Sequence, residues 1–155
     1  MGLPRMKKRK YRPSVFVVTY REEKGEIKYL LLHRILHWEG WEFPKGGTYE
    51  DEEEEETIKR ELKEEAGLDV IEITKFGKEG KFKYSEELSD RKGIKGQTWK
   101  LYVARVGEGD VNISNNPDKE HDDYEWLGFR EAYKKLTHDD QKECLEEVNH
   151  WIKGD

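Results

Sequence analysis

The stretch that restricts this chain most is residues 46–68, GGTYEDEEEEETIKRELKEEAGL. From about Glu54 to Ala66 it is built of helix formers without Pro or Gly, which predicts one helix. Gly67 stands where a left-handed residue ends such a helix. Ile58, Leu62 and Ala66 recur at i, i+4 and i+8 and form a stripe for the core. Glu61, Glu64 and Glu65 recur at i, i+3 and i+4, so three carboxylates share a neighbouring face. Like charges at this spacing cost stability. A hard divalent cation relieves the repulsion, and Mg²⁺ takes oxygen ligands of this kind together with waters and phosphates. The run from Glu53 to Glu56 lies outside that spacing and reads as solvated surface.

The same residues fit the spacing G-x5-E-x7-R-E-U-x-E-E-x-G-U, with U aliphatic. The fixed positions are Gly46, Glu52, Arg60, Glu61, Leu62, Glu64, Glu65, Gly67 and Leu68. In this the chain resembles the Nudix hydrolases. Gly46, Arg60 and Gly67 carry the match, because glutamate is abundant here whatever the family. The resemblance implies an α/β fold, a mixed β-sheet between α-helices. It also implies Mg²⁺, or Mn²⁺ in its place, held by Glu61, Glu64 and Glu65. Arg60 is expected to point away from the three carboxylates, and the resemblance implies a structural ion pair between it and Glu52.

Two further segments narrow the resemblance. Residues 41–46, WEFPKG, follow the W-x-F-P-K-G form of the branch that cleaves dinucleoside polyphosphates asymmetrically. Gln in place of Lys45 would match the RNA pyrophosphohydrolases. Residues 120–127, EHDDYEWL, resemble the E-H-x-x-Y-x-W-L segment of the diadenosine tetraphosphate hydrolases. The resemblance implies that Glu120 joins the metal site from outside the helix, that Tyr124 stacks on an adenine, and that Trp126 packs inside. Tyr84 aligns with a second stacking Tyr. Lys45 is placed to reach a phosphate, with Lys81, Lys83 or Lys95 for the rest of the chain. His121 is read as holding a loop together, and His33 and His37 lie near the Trp41 turn. One departure stands out: the animal enzymes have His where this chain has Gly47.

The activity so implied is Mg²⁺-dependent hydrolysis of diadenosine tetraphosphate to ATP and AMP. Glu61, Glu64 and Glu120 are the catalytic candidates, with Glu61 or Glu120 taking the proton from water. A 5′-RNA or nucleoside triphosphate pyrophosphohydrolase is the alternative within enzymes. A nucleotide-sensing Nudix module without turnover is the alternative outside them, and the full set of carboxylates speaks against it.

A chain of 155 residues suits one domain with a real core. Only 34% of it is hydrophobic and 41% is charged, yet five Trp, eight Tyr and five Phe argue for a folded domain under a charged surface. A net charge of −6 gives no global attraction to nucleic acid or anionic membrane. The lone Cys144 rules out an internal disulfide, reads as a buried helix residue, and fits a reducing, cytoplasmic setting. No apolar run reaches membrane-span length, and the N-terminus lacks a signal-peptide core. Whether the chain is a monomer or a dimer is open.

Residues 1–12, with Arg5, Lys7, Lys8, Arg9, Lys10 and Arg12, read as a solvated basic tail ahead of one domain over 13–155; an arm for RNA or polyphosphate is the other reading. Strands are expected over 14–20, 28–34, 70–76, 81–84, 97–106 and 125–128, with a turn around Gly25. Three consecutive Leu in the second strand predict burial on both faces. WEFPKGG reads as a shaped turn, 85–95 as a mobile loop, and 107–119 as an irregular connection. A short helix follows over 129–136. Thr137 with Asp140 predicts a capping-box start for the last helix, which sets Gln141, Cys144, Leu145, Val148 and Ile152 on one side.

Overall fold

The run SVFVVTY is β-branched and aromatic, and it forms the middle of a long strand at the centre of one seven-stranded sheet. The computed structural model describes residues 10–154 apart from Glu87, Asn115 and Pro117, and the basic stretch over residues 1–9 lies outside them. The elements run β1 (Lys10–Glu23), β2 (Glu26–Arg34), β3 (Gly40–Glu42), β4 (Lys45–Gly47), α1 (Glu54–Ala66), β5 (Val70–Lys83), β6 (Ile94–Val106), β7 (His121–Leu127), α2 (Phe129–Lys135) and α3 (Asp139–Lys153). The sheet order is β3-β2-β1-β6-β5, with β4 added to β1 and β7 to β2. β1 and β6 are parallel and the other pairings antiparallel, so the sheet is mixed.

Each face of the sheet has its own core. Val15, Val17, Leu30 and Leu32 pack under α1 through Ile58, Leu62 and Ala66. Phe16, Val18, Leu31 and Leu101 pack under α2 and α3 through Ala132, Leu136, Cys144, Leu145 and Val148. The three leucines of β2 thus divide between the two layers, which is the expected burial on both faces. Helices cover both faces of a mixed sheet, as the resemblance implied.

α1 has the expected bounds, and Gly67 closes it with φ 68°. Its acidic first turn is not merely solvated: Glu54 accepts from the Tyr102 hydroxyl (2.7 Å), and Glu56 accepts from the Glu53 amide (3.2 Å). Four other expectations are corrected. β1 begins at Lys10, so Lys10 to Arg12 belong to the sheet and not to a tail. WEFPKGG is two short strands, β3 and β4, whose pairing with β2 and β1 no local pattern announces. β5 is one strand with an irregularity between Lys75 and Glu79, where Gly77 had suggested a break. α3 takes His138 as its N-cap, while Thr137 turns the other way: its Oγ1 accepts from the Trp41 amide (2.9 Å). Gln141 adds an acceptor for the Phe43 amide (2.9 Å), so α3 clamps the segment that presents Lys45.

Candidate active site

Helix α1 lies with its apolar stripe on the sheet, which carries Glu61 and Glu65 inward beside it. Both are buried, whereas Glu64, on the outer side of the same face, is exposed. Glu65 is pushed well above the ordinary carboxylate range, first by burial and then by the charges of Glu61, Glu120 and Glu42. Burial also raises Glu61, against a hydrogen bond with Glu65 and the pull of Arg60. Gly46 on β4 is what lets Glu61 stand here: a Cβ at that position would fall 2.1 Å from Glu61 Cδ. Glu120 stands outside the helix, just ahead of β7. Its backbone carbonyl accepts from the Ile35 amide (2.8 Å), and it lines the same cavity as Glu61 and Glu64.

Arg60 forms the expected pair with Glu52, through Nε (2.8 Å) and Nη2 (2.9 Å). That bond chiefly holds the Glu52 carboxyl down at about 2. Arg60 does not point away from the carboxylates, however. Its Nη1 lies 2.7 Å from Glu61 Oε1 and 3.4 Å from Glu64 Oε2, and Nη2 donates to the Gly47 carbonyl. A planar guanidinium with five donors can serve both sides at once, and helical spacing alone does not disclose it.

Beside the acids stands a cationic wall. Arg12, Arg34, Lys45 and Arg91 line the acidic cavity together with Gln97. A Cβ at residue 47 would meet the Arg12 guanidinium at 2.3 Å, so Gly47 makes room for Arg12 where the animal enzymes carry His. Behind the wall lies Glu42, fully buried. It accepts from Arg34 Nη1 (3.0 Å), pairs with His121 Nε2 (2.8 Å) and has Lys45 Nζ at 3.4 Å. Burial alone would raise Glu42; Lys45, His121 and Arg34 instead hold it well below the usual range. His121, the first residue of β7, is therefore tied to Glu42 at the end of β3, where a role in holding a loop was expected. His33 is bound to Asp122 and His37 to Asp90 (3.0 Å).

A second cavity of about 490 Å³ shares Arg34, Lys45, Arg91 and Gln97 with the acidic one. Trp38, Phe82, Tyr84 and His138 supply its aromatic lining. The Tyr84 hydroxyl accepts from Arg91 (2.9 Å) and Gln97 (2.8 Å), two residues that line both cavities, which fixes the ring in the wall of the aromatic one. Lys83 lines this cavity too, while Lys81 and Lys95 lie over the Tyr11 ring at 5.1 and 4.8 Å. Tyr124 is not part of it. It pairs with Leu32 on the α1 side of the sheet and lines neither cavity, so Tyr84 and Tyr124 do not flank one space. Trp126 packs against the α1-side core as expected.

Sequence reasoning passed over Arg12, Arg34, Glu42, Trp38 and Arg91. Two signals were available: an ionisable Glu inside the otherwise apolar WEFP, and an Arg closing the apolar run of β2. Buried charges of this kind must be paired, and their pairing marks a site.

Among the described residues, no three acidic or imidazole groups stand ready at metal-ligand spacing. Arg60 engages Glu61 and Glu64 instead. The donor set nevertheless suits a hard divalent cation. It is all carboxylate oxygen, Glu61 and Glu65 both have raised proton affinity, and Glu65 Oε2 is buried with no hydrogen-bond partner among the described residues.

The chain is similar to several known proteins. It is 29% identical over 155 residues to the RNA pyrophosphohydrolase of Sulfurovum sp. (strain NBC37-1), covering 94% of this chain and 96% of that one. It is 32% identical over 126 residues to the asymmetrical bis(5′-nucleosyl)-tetraphosphatase of Sus scrofa, covering 81% of each. The C. elegans Ap4A hydrolase binary complex superposes with a TM-score of 0.72 at 25% identity, over 93% of this chain and 99% of that one. The NUDIX domain family matches residues 10–148, nearly the whole length, and the chain belongs to that family.

Proposed function

We propose that this protein hydrolyses a phosphoanhydride bond in a nucleotide, with diadenosine tetraphosphate as its substrate and ATP and AMP as products. One observation carries the reading: a carboxylate group, the buried Glu61 and Glu65 with the half-buried Glu120, meets a wall of cations that leads into an aromatic cavity large enough for a nucleoside. Glu61, Glu64, Glu65 and Glu120 would hold a divalent cation, Mg²⁺ by preference, which when bound neutralises phosphate charge and makes a coordinated water more acidic. The residues themselves do the rest. Trp38 and Tyr84 hold one adenine. Lys45, Arg34, Arg91 and Arg12 donate to the polyphosphate and fix its path past α1. Glu61, whose proton affinity burial raises, takes the proton from the attacking water, with Glu120 as the other candidate base.

A second reading, removal of pyrophosphate from 5′-triphosphorylated RNA, is favoured by the Sulfurovum relative and its nearly full coverage. Lys45 in the W-x-F-P-K-G turn favours the dinucleotide. Chromatography of products from both substrates with Mg²⁺ decides between them. Turnover of RNA alone would discard the dinucleotide reading. The metal set is tested by Glu64→Gln, which removes charge from an exposed position without disturbing the core. Activity should fall steeply while stability without metal changes little, because relief of like-charge repulsion offsets the loss of an exposed 3.4 Å contact with Arg60. Near-normal rates at saturating Mg²⁺ would remove Glu64 from the site.

A further inference from the structure

Tyr49 is more than half exposed, yet it is firmly seated. Its amide donates to Glu52 Oε1 (3.3 Å), its carbonyl accepts from the Glu52 amide (3.1 Å), and its ring lies 4.2 Å from the Arg60 guanidinium carbon. Arg60 is locked in turn by Glu52, Glu61 and the Gly47 carbonyl. The ring is thus held against a fixed cation while much of it remains open to solvent. It lines the acidic cavity and not the aromatic one.

We propose that Tyr49 is a stacking platform for a second nucleobase, the one on the far side of the scissile centre from the aromatic cavity. The inference rests on the dinucleotide reading above. With one base beside Trp38 and Tyr84, the polyphosphate passes the shared cations into the acidic cavity, and the second nucleoside leaves by its rim, where Tyr49 stands. A base on the Tyr49 ring gains stacking that the Arg60 guanidinium beneath it reinforces. A substrate with only one base gains nothing there.

The test separates binding from turnover. Affinities of a methylene-bridged, non-hydrolysable diadenosine tetraphosphate analogue and of adenosine 5′-tetraphosphate are measured by calorimetry on wild type, Tyr49→Ala, Tyr49→Leu and Tyr49→Phe. Tyr49→Ala and Tyr49→Leu should weaken the dinucleotide about tenfold and leave the mononucleotide unchanged, and Tyr49→Phe should restore the difference. Equal weakening of both ligands would mean that Tyr49 acts through Arg60 on the acidic centre, and would overturn the proposal. So would a wild type that binds both ligands equally. Loss of the dinucleotide reading registers separately, as absent turnover of diadenosine tetraphosphate by the wild-type protein.

Discussion

A single missing side chain shapes the acidic centre. A methyl group at residue 46 collides with the Glu61 side chain, not with backbone, so the fold can accommodate it by swinging Glu61 aside. Gly46→Ala is therefore expected to leave the urea unfolding midpoint nearly unchanged while activity falls about 10²–10⁴-fold, the worth of a general base. A large loss of stability with activity retained would contradict this. Protons report on the same residues. Burial and neighbouring acids raise Glu65 in the folded chain, so between its unfolded value and the raised one the folded state binds more protons than the unfolded state. Metal-free protein should therefore lose stability as pH rises through that window. Glu52 works in the opposite sense. Arg60 holds it at about 2, so its contribution is complete above the unfolded carboxylate range and disappears as pH falls toward that value. Thermal unfolding in chelator should then show a maximum on the acid side of neutrality, and Glu65→Gln should flatten the decline above it. Parallel curves for the two proteins would show that Glu65 is not the group responsible.

At the scale of elements, what was legible in the sequence was what is local. α1 declares itself through propensity, a 3.6-residue stripe and Gly67, and its bounds are those expected. β3 and β4 have three residues each and exist because β2 and β1 offer them hydrogen bonds, so no periodicity could disclose them. The 46–68 motif pointed to Glu61, Glu64 and Glu65, and the two further segments to Lys45 and Glu120. The cations came from elsewhere: Arg12 reads as part of a basic terminal run until β1 extends through it and pairs with β4, Ser14 opposite Gly47, which sets Arg12 beside that glycine. Tyr124 was placed by resemblance in register but not in company, because which neighbours share its face depends on the pairing of β7 with β2. Trp38→Ala and Tyr84→Ala should each cost ~1–3 kcal/mol of nucleotide binding, and Tyr124→Ala markedly less. The start of α3 gives a further check. Thr137 is an anchor for β3 and not a helix cap, so Thr137→Val should cost about 0.5–1.5 kcal/mol and raise KM by loosening the Lys45 segment. Thr137→Ser should restore both, and a serine variant as damaged as the valine one would refute the anchoring bond.

Over the whole molecule, charge is distributed against its sum. The net charge is −6, yet Arg12, Arg34, Lys45 and Arg91 converge at one end of the sheet, between an aromatic cavity and the carboxylates of α1. Such a polarised site draws in a polyanion that the rest of the surface repels, and it fixes the direction in which the chain lies. If the first adenosine is held beside Trp38 and Tyr84, the order along the ligand is base, cations, acids, second base. Phosphoryl transfer needs the attacking and leaving oxygens roughly in line, so a chain held in one direction exposes one preferred phosphorus to the water beside Glu61. Attack on a phosphorus attached to an adenosine expels ATP and leaves the new oxygen on AMP. Attack at the middle of the chain yields two ADP. Single turnover in ¹⁸O-labelled water should therefore place the label in AMP. Two equivalents of ADP would reject asymmetrical cleavage altogether. Label recovered mainly in ATP would keep the cleavage point but put the attacked phosphorus on the other side of the bridging oxygen, and with it the position of the activated water relative to Glu61.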